Sequence, residues 1–348
     1  MNAKAPTLKD IAEEVGVTPM TVSKALRDMP GVKASTRSKV LAVAEKLNYR
    51  VNVQASSLKS GRSGIIRIMV NEYRLPFYSQ LIDSLSTEVI RNGLTPFLQK
   101  TGYSVESAAE AMRSPYFSGS MFDGTIAHAS GITEPEIVKS GNPTVLLDDC
   151  LHNPTVSAVN WPNEMGSRAG VQHLIDRGCR NIGIVTTCPY MEVEELMKDH
   201  ASNDPLRLRG ARSALVDNGL PYDPEHVIRI AGMDELRGVA IAHKLADEHA
   251  DFDGYMCMND SLALGLIRGF ADRGVRVPDD ARVIGFDGIR TGEYSVPTLS
   301  TISVDLDQLA QIAVSQLLRQ IENPDGDWRP STTTVGFTLI ERESTTMR

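Results

Sequence analysis

The sequence predicts an α/β protein in two parts: an N-terminal helix-turn-helix head, then a two-lobed core of doubly wound parallel sheets. Three observations lead there. The first 50 residues hold only short apolar sets at helical spacing, broken by glycine and proline. From Gly64 onward, short apolar runs alternate with helical stretches, the pattern of parallel strands covered on both faces. Charge divides the same way: residues 1–62 carry 11 Lys and Arg against 5 Asp and Glu, and the other residues 25 against 39.

In the head, Thr7 with Asp10 three places on forms a capping box, followed by Leu8, Ile11, Ala12 and Val15 on one helical face. Gly16 ends that helix. Thr18 caps a second one with Pro19 at its first position, where a missing N–H does no harm. Val22, Ala25 and Leu26 then face inward, leaving Pro19, Met20, Ser23, Lys24 and Arg27 near the outer face. After the turn DMPGVKAS, a third helix from about Thr36 turns Val40, Ala44 and Leu47 inward.

In the core, strands are expected in IIRIMV, GTIAHA, TVLLDD, NIGIVTT, GYMCMND and RVIGFDG. Helices are expected in FYSQLIDSLSTEVIRNG, EMGSRAGVQHLIDRG and DSLALGLIRGFADRG. A further amphipathic helix over 305–321, with Leu306, Leu309, Ile312, Ala313 and Leu317, is expected to pack on the core. The run is too long for one sheet, so two lobes should form a cleft at the carboxyl ends of their strands.

Composition excludes several classes. No apolar run suits a signal peptide or approaches the roughly 20 residues that span a bilayer, which places the chain in the cytoplasm, on the nucleoid when bound to DNA. Cys150, Cys179, Cys188 and Cys257 form no CxxC pair and read as buried reduced thiols. No GxSxG, HExxH or P-loop occurs and the 7 histidines show no pairing, so no enzyme activity, metal or cofactor is expected. A transport-type sugar-binding protein would need an export signal and has no use for a basic head.

That head fits duplex DNA. A helix entering the major groove must avoid carboxylates, which phosphates repel, and must offer donors to base edges. No acid lies between Thr18 and Arg27; Lys24 can donate to guanine O6 and N7, while Pro19 and Met20 can make only apolar contact, as with a thymine methyl.

The stretches TLKDIAEEVGVTPMTVSKAL, STRSKVLAVAEKLNYRVN and ASSLKSGRS, with the later VPDDARVIGFDG and PTLSTISVD, resemble the lactose-repressor (LacI/GalR) family of bacterial transcription regulators over nearly the whole chain. The resemblance implies that Pro19, Met20 and Lys24 read bases, though arginine is more frequent at the last. It implies that Thr7, Thr18, Ser23, Thr36 and Tyr49 hold phosphates, contacts that set register and do not choose sequence. NVQASSLK, from Asn52, matches a hinge helix that folds on the operator, with Ala55 beside the minor-groove wedge Leu58. Val51 replaces the usual proline and Ser56 a frequent long polar residue, so the hinge should be looser off DNA than in other members. Strong amide-exchange protection over 52–59 in the free protein would refute that.

The family's core resembles periplasmic sugar-binding proteins, with an effector between the lobes. An aromatic face, carboxylates and a forked arginine suit several hydroxyls at once. The residues at matching positions are Phe77, Tyr78, Asp148, Trp161, Arg207, Asn259 and Asp287. Competing readings are core packing for Phe77, a turn before Gly288 for Asp287, and a surface pair with an acid of the long 190–204 segment for Arg207. Asp260 is expected to cap its helix, which leaves Asn259 for the ligand. Asp149 and Pro162 depart from the family pattern, and the acidic 190–204 segment is long enough to act as a lid. A hexose or small oligosaccharide is the expected effector, with a purine or another metabolite as the alternative. Partners are a double-stranded operator and a second copy of the chain: one reading head makes too few contacts for tight specific binding, and no heptad tail points to tetramers. The expected domains are a head over 1–50, a hinge over 51–62 and a core over 63–348, with lobe one about 63–161 and 291–322 and lobe two about 162–290 and 323–341.

Overall fold

The computed structural model describes residues 6–26, 29–49, 62–113, 121–128, 141–148, 155–196, 203–324, 326 and 329–346. It divides into two compact units, Met1–Ser63 and Gly64–Arg348.

In the first unit, α1 (Leu8–Val15), α2 (Pro19–Leu26) and α3 (Ala34–Lys46) enclose Ile11, Ala12, Val22, Ala25, Val40 and Ala44. Gly16 ends α1 in a left-handed conformation, φ 76°, which glycine adopts without a Cβ penalty, and its N–H reaches the Ala12 carbonyl at 2.9 Å. Thr18 caps α2, its Oγ1 accepting from the Thr21 N–H at 3.2 Å. The third helix starts two residues before the expected Thr36. Lys33 supplies a backbone cap alone, its carbonyl accepting from both Thr36 and Arg37 at 3.0 Å.

The described residues of the second unit hold two six-stranded sheets. Lobe one is built from β1 (Ile65–Val70), α4 (Pro76–Arg91), β2 (Thr95–Lys100), α5 (Val105–Arg113), β3 (Gly124–His128), β4 (Thr144–Leu147) and β5 (Ser157–Asn160). Lobe two follows with α6 (Asn163–Asp176), β6 (Ile182–Thr186), α7 (Val193–Leu196), α8 (Asn203–Asp217), β7 (Val227–Arg229), α9 (Glu235–Asp247), β8 (Gly254–Cys257), α10 (Asp260–Asp272), β9 (Arg282–Asp287) and β10 (Ser300–Val304). Then α11 (Leu306–Glu322) packs back on β3, β4 and β5, and β11 (Thr332–Thr334) and β12 (Phe337–Ile340) close one sheet each.

Strand order is β11-β5-β4-β3-β1-β2 in lobe one and β12-β10-β9-β8-β6-β7 in lobe two. Each lobe therefore runs 2-1-3-4-5 through its own five strands. Among the described residues all pairings are parallel except β10 with β12. In that order the chain reverses direction across the sheet between the first and third strands, and a crevice opens at their carboxyl ends.

The expected lobe limits need correction in two places. Residues 300–304 belong to lobe two, because β10 pairs with β9 from Ser300 opposite Ile284 to Ser303 opposite Asp287. The tail over 323–341 is shared: Thr332–Thr334 pairs with β5 and Phe337–Ile340 with β10. Among the described residues the chain thus crosses between lobes near 161, 305 and 335. As expected, α11 is a core helix, burying Leu306, Leu309, Ala313 and Leu317. Cys179, Cys188 and Cys257 are buried and unbridged; Cys150 lies outside the described residues. No helix of the described residues is long and apolar enough to cross a membrane.

Candidate functional site

The reading face of the head follows from what α2 buries. With Val22 and Ala25 sealed in the core, Pro19 and Lys24 are exposed, Met20 keeps 69% of its surface, and Ser23 is half-buried. Of the expected phosphate-facing residues, Thr7 is exposed, with its N–H and hydroxyl donating to the Asp10 carboxylate at 2.6 and 2.7 Å. Thr18 is exposed at its helix cap, Thr36 is half-buried, and the half-buried Tyr49 packs against the head's core. Arg27, Asn52, Ala55 and Leu58 lie outside the described residues.

In the second unit, the strand ends carry the candidate site. Asp148 follows β4 with φ 57°, and Asp287 ends β9 with φ 122°, a region that L residues rarely adopt. Burial pushes the Asp148 carboxyl up to about 6, although Arg207, Asn203 and Asn163 all favour its charged form. Asn163 Nδ2 donates to Asp148 Oδ1 at 2.7 Å and Asn203 Nδ2 to its Oδ2 at 2.8 Å. Because Asp148 belongs to lobe one and both asparagines to lobe two, this carboxylate ties the lobes together.

Arg207, only 5% exposed, is the cation of the network. Its Nε donates to Asn163 Oδ1 at 2.8 Å, one terminal nitrogen donates to the Met258 carbonyl, and the other lies 3.8 Å from Asp287. The guanidinium stands 3.8 Å from the centroid of Phe286. A surface pair with the acidic segment is thereby excluded for this side chain. Asp287 is itself buried, and desolvation raises its pKa well above the ordinary carboxylate value against the pull of Arg207.

Aromatic rings form the lobe-one wall. Phe77 lies 5.5 Å from Tyr78 and 5.3 Å from Trp161, centroid to centroid, so it is both packed and at the site. His128, the last residue of β3, sits 5.5 Å from Tyr78 and 5.1 Å from Trp161. Sequence reasoning missed His128, Glu72 and Asn203. His128 was visible only as the end of GTIAHA, and strand order is what brings β3 beside β1.

The helix cap needs correction. Asn259 is the cap of α10, accepting from the Leu262 N–H at 2.8 Å, and its Nδ2 donates to the Met233 carbonyl at 2.9 Å. Asp260, expected to cap, is instead fully buried, taking the Thr301 hydroxyl at 2.6 Å and the Ile289 N–H at 2.8 Å. Only the first residue of the Asn-Asp pair has the extended backbone an N-cap requires, φ −152° and ψ 167°.

Comparison with known proteins gives this geometry its setting. Residues 7–52 match the bacterial regulatory proteins of the lacI family, and residues 171–345 match the periplasmic binding protein-like domain. The chain belongs to the LacI family. The HTH-type transcriptional repressor PurR of Vibrio parahaemolyticus is 28% identical over 327 residues, 93% of this chain and 94% of that one. A putative LacI-family transcriptional regulator from Sanguibacter keddieii superimposes with TM-score 0.73 at 30% identity, covering 82% of this chain and 99% of that one. The lac repressor dimer bound to operator and the anti-inducer ONPF gives TM-score 0.80 at 24% identity, covering 98% and 99%. Its LacI-family relatives are transcriptional regulators and not enzymes. The chain is accordingly a DNA-binding transcriptional repressor with a ligand-binding, periplasmic-like domain.

Proposed function

We propose that this LacI-family repressor binds a pseudo-palindromic operator as a homodimer and is released or tightened by a small carbohydrate held between its lobes. The observation that carries the effector half is the set of half-buried Asp148 with buried Asn163, Arg207 and Asp287, facing the rings of Phe77, Tyr78 and Trp161. Forked donors and carboxylates opposite an aromatic wall match the alternating hydroxyls and apolar faces of a sugar ring. A ligand moves the DNA equilibrium only by its differential affinity for two lobe arrangements, and contacts that bridge the lobes provide one.

The dimer half rests on the short reading face and on exposed apolar side chains of the second unit. Ile90 and Leu98 are 59% and 42% exposed, and Tyr294 and Val296 are 70% and 91% exposed. The decisive experiment is selection from random duplexes with the full chain, with and without a sugar panel, alongside sedimentation of the free protein. An inverted repeat, a dimer and a sugar-dependent change in occupancy are expected. No sequence preference at moderate salt, or a monomer on DNA, sinks the proposal.

A further inference from the structure

One carboxylate of lobe one is gripped by two helices of lobe two. Asn163 Nδ2, at the start of α6, donates to Asp148 Oδ1 at 2.7 Å, and Asn203 Nδ2, at the start of α8, donates to its Oδ2 at 2.8 Å. A single bond would let the lobes turn about it. Two, one to each oxygen, also fix the plane of the carboxylate. The two helices act as one body, because they pack along each other and Gly210 on α8 lies so near α6 that an added methyl would run into the Glu164 carbonyl. Elsewhere between the lobes, Gln80 Oε1 on α4 accepts from the Arg290 N–H at 2.8 Å.

Chemistry fixes the sense of each bond to Asp148. An ionised carboxylate only accepts, and Asn163 Oδ1 is taken by Arg207 Nε at 2.8 Å, which turns the Asn163 amide nitrogen toward Asp148. The Asp148 N–H donates to the Val159 carbonyl at 3.0 Å, tying the residue to β5. Hydrogen bonds to a charged group are about twice as strong as neutral ones, so losing one shifts a two-state balance by roughly ten- to a hundredfold.

We infer that Asp148, Asn163 and Asn203 clamp the lobes shut in the free repressor, so that an effector meets a core already closed and must exchange this clamp for contacts of its own. The inference concerns the free protein, and it stands or falls apart from the carbohydrate assignment.

The test is a distance distribution between spin labels on the full chain with no ligand added. Labels go on Lys100→Cys and Arg229→Cys, the exposed last residues of β2 and β7, which hold matching edge places in the two sheets. Cys150 is replaced by serine, burial protects Cys179, Cys188 and Cys257, and unlabelled chain is mixed in so that distances within one protomer are read. The measurement is made at pH 8, above the value of about 6 to which burial pushes Asp148, so that two facing carboxyls repel instead of sharing a proton. The parent is expected to give one narrow distribution. Asn203→Asp sets a second carboxylate against Asp148 and is expected to shift the balance toward longer distances by roughly tenfold or more. Asp148→Asn combined with Asn203→Asp exchanges donor for acceptor, keeps an oxygen for Asn163, and is expected to restore the narrow distribution. A broad distribution in the parent, an unchanged one in Asn203→Asp, or an exchanged pair that stays open overturns the clamp. Should Asn203→Asp fail to fold, Asn203→Ala takes its place with a smaller shift in the same direction, and an unchanged distribution there overturns the clamp as well.

Discussion

At the scale of single residues, Lys24 and His128 make the sharpest predictions. Replacing Lys24 with alanine should cost about 1–3 kcal/mol at one base pair per half-site and relax preference there, as a panel of point-substituted duplexes would reveal. Equal weakening on every duplex would assign Lys24 to phosphate. His128 is held down to about 4, first by burial and then by Arg207, against an ordinary 6.5. A base whose value falls on folding leaves stability intact above 6.5 and drains it as pH drops toward 4. Asp148, raised from 3.8 to about 6, acts in the opposite sense, costing stability as pH rises across that interval. His128→Phe should therefore gain on the wild type by about 2–3 kcal/mol between pH 7 and pH 4 in urea titrations, since one pKa unit is about 1.4 kcal/mol. Parallel curves for the two proteins would show that the imidazole is not held neutral. Asp148 and Asp287 were legible because each closes or follows a run whose type was plain, whereas Arg207, inside the unpredicted helix α8, was legible only through the family resemblance. The cap fell to Asn259 and not to the expected Asp260 because both residue types cap helices; what separates them is Thr301 on a later strand, which no local pattern contains.

At the scale of elements, the long β-branched runs such as IIRIMV and RVIGFDG stood out, as did the helices with a clear apolar stripe. The strands TPFLQK, SAVN and VIR did not: two are only three or four residues long, and β2 mixes half-buried with exposed positions at the sheet edge. Close helix contacts were equally invisible. Gly265 on α10 lies so near α9 that an added methyl would run into the Glu235 carbonyl, which is backbone and cannot swing aside. Gly265→Ala should thus destabilise the core by about 1–3 kcal/mol despite alanine's higher helix propensity, measurable by denaturant unfolding. A gain in stability would mean the two helices separate freely.

At the scale of the whole molecule, the division into a basic head and an acidic α/β core was readable from charge and periodicity alone. Two lobes were readable from length. Their limits were not, because nothing local in PTLSTISVD says which sheet its residues join, and the tail that follows serves both. The path found in the structure has a mechanical consequence. With the polypeptide passing from lobe to lobe near 161, 305 and 335, a single protease nick at any one of these leaves two intact tethers. Limited digestion that cuts near 335 should give fragments that separate in denaturant but elute together from a sizing column under native conditions. If they part without denaturant, the swapped terminal strands add little to cohesion, and the halves of this sensor are joined far more loosely than their threading implies.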